Sequence, residues 1–154
     1  MNPPAAPQKV LSVCLGNICR SPTVEAVLRA KASEAGLPLT VDSAGTAGYH
    51  VGSAPDHRSI RHARARCYEL AHLRARKVQL SDFEQFDLIL AADESNLSDL
   101  RRICPQQYTH KLALFLENQP LPDPYHGDEH DFEHVLDLVE RRAEALIRHW
   151  VSLR

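Results

Sequence analysis

The sequence has little of what marks membrane, secreted or nucleic-acid-binding proteins. Its apolar runs reach five residues, as in 88–92, whereas a membrane-spanning helix needs about 20. Four cysteines in 154 residues are too few for a disulfide scaffold, so we expect a reducing, cytoplasmic setting. The first residues lack the charged start and apolar stretch of a secretory signal. Because 18 Lys and Arg residues face 20 Asp and Glu residues, a generally basic nucleic-acid binder is excluded.

What is present fits one globular domain. Apolar residues make up 44% of the chain and charged residues 25%, which lies within the range of folded proteins. Three of the ten prolines fall in residues 1–8, so we expect a short disordered N-terminal tail there. Residues 9–154 contain no linker, repeat or low-complexity segment, and we expect them to form a single domain.

Apolar spacing predicts strands and helices that alternate along this domain. The predicted strands are 9–13, 39–44, 88–92 and 110–114, and the predicted helices are 22–35, 56–70, 81–86, 94–103 and a long C-terminal helix. Ser21 is the expected N-cap of the first helix. This alternation predicts an α/β, Rossmann-like fold with a four-stranded parallel sheet and helices on both faces. Ligands bind such sheets outside the carboxyl ends of the strands.

The first strand runs into a loop of distinctive composition, Cys14-Leu15-Gly16-Asn17-Ile18-Cys19-Arg20. A helix follows, so Cys14 and Arg20 would lie over a helix N-terminus, where free N–H groups and the positive dipole end attract anions. The amides of residues 15–20 and the fork of Arg20 would hold a phosphate-sized dianion. The same positive field would favour the thiolate form of Cys14.

The run from Val13 to Pro22 resembles the phosphate loop of the low-molecular-weight protein tyrosine phosphatases, in their bacterial type. Other segments match that family in its order and spacing: Asp42 to Thr46, Phe86 to Leu90, Asp93 to Leu97, and the acid loop Asp123-Pro124-Tyr125. The resemblance covers nearly the whole chain after residue 8. It implies a phosphatase for phosphotyrosine and aryl phosphates that needs no metal and no cofactor.

The resemblance also implies the catalytic roles. Cys14 would attack phosphorus and form a phosphocysteine intermediate. Arg20 and the amides of Leu15, Gly16, Asn17, Ile18 and Cys19 would bind the phosphate oxygens. Asp123 would protonate the leaving group and then activate water.

Further residues would support this chemistry. Ser21 would donate a hydrogen bond to the cysteine sulfur, and Asn17 with Ser43 would hold the loop in shape. The walls of the cleft would be Leu15, Tyr49 and Tyr125. Cys19 lies in the same small loop as Cys14 and is the expected partner for a protective disulfide.

Four positions depart from the family's usual pattern. The family commonly has a histidine where this chain has Leu73, with His72 one residue earlier. Either His72 takes over that histidine's brace of the phosphate loop, through the carboxylate of Glu25, or the brace is absent. The other departures are Tyr49 with His50 at the cleft mouth, His126 in place of a second tyrosine, and Ala92 in place of methionine.

Two charged groups outside the loop invite functional interpretations. His126, His130 and His134 could share a metal ion, but acidic residues beside them are also favoured in the first turn of a helix, and we expect no metal. The basic residues from Arg58 to Lys77 could dock acidic partners. We favour an ordinary solvated helix face, because no aromatic residues alternate with them as nucleic-acid stacking requires.

Several functions are possible on this fold, and phosphotyrosine hydrolysis is favoured. Arsenate reduction needs two further cysteines close together, whereas Cys67 and Cys104 are 37 positions apart and are expected to be packing residues. A non-catalytic phosphate-binding module would not need both a nucleophile and an acid. Phosphoarginine phosphatases of this family have threonine where this chain has Leu15 and Ile18, whose apolar side chains disfavour a guanidinium.

The expected partners follow from the same resemblance. It implies phosphotyrosine proteins as substrates, with a bacterial tyrosine kinase among the candidates. Neither nucleic-acid binding nor insertion into a membrane is expected.

Overall fold

The computed structural model describes residues 5–154, which form a parallel four-stranded sheet with helices around it. The strands are β1 (Lys9–Cys14), β2 (Thr40–Gly45), β3 (Leu88–Ala91) and β4 (Leu112–Leu114), in the spatial order β2-β1-β3-β4. The helices are α1 (Arg20–Glu34), α2 (His57–Ala65), α3 (Leu80–Gln85), α4 (Glu94–Ile103) and α5 (Glu129–Ser152), and a 3-10 helix, Gln106–Lys111, precedes β4. The predicted α/β, Rossmann-like class is confirmed.

Helices cover both faces of the sheet, and each face has its own apolar cluster. Helices α1 and α5 pack against each other over Val10 and Leu90. On the opposite face, α3 and α4 cover Leu11 and Ile89. Neighbouring residues of one strand therefore point into different clusters. Burial on both faces explains why β3 reads as a continuous apolar run.

Helix α1 begins at Arg20, two residues earlier than predicted, and Ser21 is not its N-cap. Cys19 occupies the N-cap position and makes no side-chain capping bond. The Ser21 hydroxyl instead lies 3.0 Å from the sulfur of Cys14. The first N–H groups of α1 are consequently not occupied by a capping side chain.

Helix α2 is shorter than the predicted span 56–70, because the backbone turns after Ala65. Cys67 has a φ of 70°, in the left-handed region that ends helices. Its side chain is exposed, so the expectation that Cys67 packs on an apolar stripe is wrong. Leu70, the last predicted residue of the helix, is nevertheless fully buried. Cys104 packs partly buried against the α3 and α4 cluster.

The predicted tail, residues 1–8, falls partly outside the described residues, since positions 1–4 are not included. Ala6 packs partly buried against the core, and the Gln8 N–H donates to Oδ2 of Asp87 at 2.8 Å. The chain is tied to the domain from Ala6 onward. Among the helices of residues 5–154, none combines the length and the apolar composition needed to cross a membrane.

The loops that follow β1, β2 and β3 leave the sheet at one edge. Cys14 is in register with Gly45, and Val13 with Ala91. A side chain at position 45 would place its Cβ 2.7 Å from the carbonyl oxygen of Leu15, so glycine lets the loop after β1 rest directly on the end of β2. Residues from three strand ends are thereby gathered around the Cys14 loop.

Candidate active site

The loop from Cys14 to Arg20 closes over the N-terminus of α1. Cys14 is 3% exposed at the end of β1, and Arg20 is 4% exposed in the first turn of α1. Asn17 has a φ of 58°, which asparagine tolerates better than most residues. The backbone reversal at Asn17 brings the two ends of the loop together beneath one concave surface.

A hydrogen-bond network beneath the loop connects it to the sheet. The Asn17 amide nitrogen donates to the hydroxyls of Ser21 at 2.8 Å and Ser43 at 2.9 Å. The Arg76 backbone N–H donates to Oδ1 of Asn17 at 3.0 Å. Ser21 in turn lies 3.0 Å from the Cys14 sulfur. Both N–H groups and the oxygen of the buried Asn17 amide therefore have hydrogen-bond partners.

The carboxylate of Glu25 terminates this network, and within residues 5–154 no histidine forms a hydrogen bond with it. The Ser43 hydroxyl donates to Oε1 of Glu25 at 2.6 Å, and Arg29 Nη2 donates to Oε2 at 2.6 Å. Burial raises the pKa of Glu25, while these two donors oppose the shift. His72 is exposed and Leu73 packs against the core. Of the two alternatives for the family's histidine, the takeover by His72 is wrong, and Arg29 occupies the carboxylate instead.

Arg20 is held from the side of β3. Its Nη1 donates to Oδ2 of Asp93 at 2.8 Å and to the Leu121 carbonyl at 2.9 Å, while Nη2 lies 3.8 Å from Oδ2 of Asp123. Asp93 also caps α4, since its Oδ1 accepts from the Asn96 N–H at 2.8 Å. A buried guanidinium needs such partners to offset its lost hydration. These contacts fix the orientation of Arg20 toward the cleft.

A cleft of about 210 Å³ opens above the loop. Its lining includes the nucleophile candidate, the arginine, the acid candidate and the three expected wall residues: Cys14, Arg20, Asp123, Leu15, Tyr49 and Tyr125. Gly16, Ile18 and Cys19 also line it, together with His50 and His126. Asn17, Ser21 and Ser43 lie below the cleft, where they support the loop.

Cys19 differs chemically from Cys14 although both are buried in the same loop. Burial raises the pKa of the Cys19 thiol to about 12, and a hydrogen bond with Ser59 offsets only part of that rise. Cys19 is therefore a neutral thiol at physiological pH. Of the two cysteines, only Cys14 has the Ser21 hydroxyl at its sulfur.

Arg58 connects the acid loop to the phosphate loop, a role that the sequence did not indicate. Its Nη2 donates to the Tyr125 carbonyl at 2.9 Å, and its guanidinium lies 4.5 Å from the Phe132 ring and 5.7 Å from the Tyr125 ring. The same guanidinium pairs with Asp56, whose N–H donates to the Ile18 carbonyl at 2.9 Å. Arginine's planar cation suits a position between two rings.

Most of the other charged groups singled out in the sequence have structural partners, but Lys77 takes part in no ion pair within residues 5–154. Arg61 pairs with Glu129, Arg64 with Glu69, Arg66 with Glu133, Asp137 and Glu140, and Arg76 with Asp42 and Asp82. Asp128 caps α5 by accepting from the His130 and Asp131 N–H groups. Within residues 5–154, no three His, Cys, Asp or Glu side chains are placed to hold a metal ion.

Three contributors to the site escaped sequence reasoning, namely Arg29, Arg58 and Asp93. Asp93 and Arg29 had local signals. An aspartate directly before an apolar-periodic helix is a typical N-cap, and Arg29 follows Glu25 at the i,i+4 spacing of a helical ion pair. Arg58 looked like an ordinary helix-surface cation. Arg29 reaches Glu25 because the two are one turn apart on α1. Arg58 reaches Tyr125 only through the tertiary fold.

Comparison with known proteins agrees with this geometry. Residues 9–152 match the family model described as low molecular weight phosphotyrosine protein phosphatase. The human protein of that name is 40% identical over 151 residues, which cover 92% of this chain and 95% of the human one.

Solved structures agree in fold as well. A protein tyrosine phosphatase from Entamoeba histolytica with Hepes in the active site aligns with a TM-score of 0.90 and 38% identity, covering 94% of this chain and 97% of the other. Wzb from Vibrio vulnificus in complex with benzylphosphonate aligns with a TM-score of 0.85 and 30% identity, covering 92% and 98%.

The Arg58 contacts predict the behaviour of the segment 121–127. Arg58→Ala removes a charge-assisted hydrogen bond worth about 1.5 kcal/mol, so amide hydrogen exchange of this segment should become about tenfold faster. Arg61→Ala, which loses only an exposed ion pair with Glu129, is the matched control and should leave exchange unchanged. Equal exchange in all three proteins would show that Arg58 does not hold the segment.

Proposed function

This chain belongs to the low molecular weight phosphotyrosine protein phosphatase family, and we propose that Cys14, Arg20 and Asp123 carry out its reaction. The enzyme is a protein tyrosine phosphatase that works through a phosphocysteine intermediate. The observation that carries the assignment of residues is their position around one cleft. Cys14, Arg20 and Asp123 all line it, and Oδ2 of Asp123 lies 3.8 Å from Nη2 of Arg20.

The proposed first step transfers the phosphoryl group to sulfur. The Cys14 thiolate attacks phosphorus, the S–P bond forms and the P–O bond to the phenol breaks. Asp123 in its protonated form gives its proton to the departing oxygen. Arg20 and the loop N–H groups hold the three remaining oxygens, whose negative charge the transition state must carry.

The second step regenerates the enzyme. Asp123, now ionised, takes a proton from a water molecule, whose oxygen attacks phosphorus as the S–P bond breaks. Inorganic phosphate leaves and Cys14 returns to the thiolate. The hydroxyl of Ser21 at 3.0 Å stabilises the sulfur as its negative charge returns.

The walls of the cleft suit an aryl ring. Leu15 is 44% exposed, Tyr49 78% and Tyr125 40%, so their faces are available to a flat apolar group. Wzb holds benzylphosphonate, a benzyl group on a phosphate-like head. That complex supports the proposal that the same walls accept phosphotyrosine here.

Phosphotyrosine proteins are the substrate class, and we propose a bacterial tyrosine kinase in its phosphorylated form as one partner. The bacterial phosphatases among the similar structures support this. We also propose the cytoplasm as the compartment. The four cysteines are unpaired in residues 5–154, and the mechanism needs Cys14 reduced.

Two alternatives lose support from the positions of the side chains. Cys104 packs against the α3 and α4 cluster, whereas Cys67 follows α2 on the α5 side of the sheet. A cysteine relay for arsenate reduction would need them close together. Leu15 and Ile18 both line the cleft, where an unpaired guanidinium would be desolvated against apolar side chains.

A comparison of phosphopeptides tests the function. Without added metal, kcat/KM for a phosphotyrosine peptide should exceed that for matched phosphoarginine and phosphoserine peptides by about a hundredfold or more. Cys14→Ser should lose turnover while it still binds inorganic phosphate, because its alcohol stays protonated. Comparable kcat/KM for phosphoarginine, or arsenate reduction with thioredoxin, would contradict the proposal.

The acid role of Asp123 predicts a dependence on the leaving group. Asp123→Asn should slow phenyl phosphate by about a hundredfold or more and p-nitrophenyl phosphate much less, since only a poor leaving group needs the proton. Asp137→Asn, on α5 away from the cleft, is the control. An equal loss across a series of aryl phosphates would remove Asp123 from this role.

The two loop cysteines predict reversible inactivation by peroxide. Peroxide oxidises the Cys14 thiolate to a sulfenic acid, and the Cys19 thiol then displaces water to form a disulfide. Activity should return fully with dithiothreitol, whereas Cys19→Ser should be oxidised irreversibly and Cys104→Ser should behave like the unmodified chain. Sulfinic acid on Cys14 in the unmodified chain, detected by mass spectrometry, would show that Cys19 gives no protection.

A further inference from the structure

A second groove lies beside the phosphate cleft and shares a wall with it. Leu15 and Tyr49 line both depressions. From this shared wall the groove extends to the C-terminal end of α4, where Arg102 and Ile103 form its far side. Its volume is about 480 Å³, larger than that of the cleft. Apart from the two shared residues, its lining takes no part in the reaction described above.

The groove presents apolar side chains that nothing within residues 5–154 covers. Tyr49 is 78% exposed, Ile103 47% and Leu15 44%. Single exposed apolar residues are common on protein surfaces, but several that line one concave surface indicate a binding site. The groove also adjoins the cleft, with which it shares Leu15 and Tyr49. Because these two residues line both depressions, a ligand that reaches across Leu15 would contact both.

The charge of the groove is positive. Arg102 pairs with Asp99 along α4, so these two lining residues neutralise each other. Lys77 also lines the groove and is exposed, and it takes part in none of the ion pairs of residues 5–154. The one uncompensated charge at this surface is therefore a lysine, which favours an acidic ligand.

The chemistry of the cleft limits what can lie there. A phosphotyrosine with its phosphorus above Cys14 has its ring between the cleft walls, so its main chain emerges at the cleft mouth. The polypeptide must then continue over part of the rim. On one side stands the acid loop with Tyr125 and His126, and on the other the rim descends past Tyr49 into the groove.

We propose that the groove binds the polypeptide segment next to phosphotyrosine in a protein substrate, with an apolar side chain against Ile103 and an acidic side chain at Lys77. The proposal rests on the phosphatase function proposed above and adds a sequence preference to it. The enzyme would select among phosphotyrosine proteins by the residues beside the phosphorylated site. Small aryl phosphates, which end at the cleft mouth, would be unaffected.

A charge exchange tests the acidic part of this preference. The test uses two pairs of phosphotyrosine peptides. In the first pair, a leucine together with either glutamates or lysines precedes the phosphotyrosine. In the second pair, the same residues follow it. The unmodified chain should hydrolyse one glutamate peptide with about tenfold higher kcat/KM than its lysine counterpart. In Lys77→Glu that ratio should fall to one or below, while kcat/KM for p-nitrophenyl phosphate stays within about twofold.

A matched control separates local from general electrostatics. Lys9→Glu makes the same charge change at the start of β1, at the opposite end of the strand from the Cys14 loop. It should keep the peptide preference of the unmodified chain. If Lys9→Glu and Lys77→Glu change the ratio equally, or if neither changes it, the groove does not read charge and the proposal fails.

A second variant, Ile103→Ala, tests the apolar preference. It also keeps the proposal testable if Lys77→Glu folds poorly. Ile103→Ala should raise KM several-fold for the leucine peptide. It should leave KM unchanged for the same peptide with glycine in place of leucine, and kcat unchanged for both peptides.

A loss of self-association in Ile103→Ala, measured by sedimentation, would assign the groove to a second copy of this chain and overturn the proposal. If the unmodified chain hydrolyses p-nitrophenyl phosphate but no phosphotyrosine peptide, the phosphatase function itself is wrong. Equal hydrolysis of all the peptides overturns only the groove.

Discussion

The side-chain amide of Asn17 holds the phosphate loop in shape, because it connects three segments that are distant in sequence. Its partners are Ser21 in α1, Ser43 in β2 and the backbone of Arg76 between α2 and α3. Asn17 is 3% exposed and its φ is 58°. An aliphatic side chain there would strain the backbone and leave the Arg76 N–H without its acceptor, at a cost of about 1–3 kcal/mol. Few residues other than asparagine satisfy both demands.

The network also has a direction that leads to the sulfur. Glu25 accepts hydrogen bonds, so the Ser43 hydroxyl must donate to it and can only accept from Asn17. Asn17 likewise donates to Ser21, so the Ser21 proton can be donated to the Cys14 sulfur at 3.0 Å or to the Ala44 carbonyl at 3.5 Å. The acceptor Glu25 therefore sets the direction of the hydrogen bonds as far as the Ser21 hydroxyl, which lies beside the Cys14 sulfur. The support of the loop thus begins at a buried carboxylate in α1.

Local signals were enough to predict the alternation of strands and helices and the position of the Cys14 loop, because apolar period and turn residues act over short distances. They failed where tertiary contacts decide. Ser21 looks like an N-cap, but its hydroxyl is taken by Cys14 and Asn17. The helical spacing of apolar residues continues beyond α2 to Leu70 in the sequence, but the chain turns at Cys67, whose backbone is left-handed. Leu70 is nevertheless buried after this turn. Arg58 could not be linked to the acid loop from the sequence, because Tyr125 lies 67 positions further along the chain and only folding brings the two together.

The exchange of the family's histidine for Leu73 changes how the loop is held. Burial raises the pKa of Glu25, so the carboxylate keeps its charge only if donors stay close. Arg29 supplies one from the next turn of α1 and is itself anchored by the Val41 carbonyl at 2.7 Å. A histidine in that place would gain and lose its proton near neutral pH, whereas a guanidinium does not titrate there. The donor to Glu25 accordingly keeps its charge throughout the neutral range, and the carboxylate, whose pKa burial raises, is the titratable member of this pair.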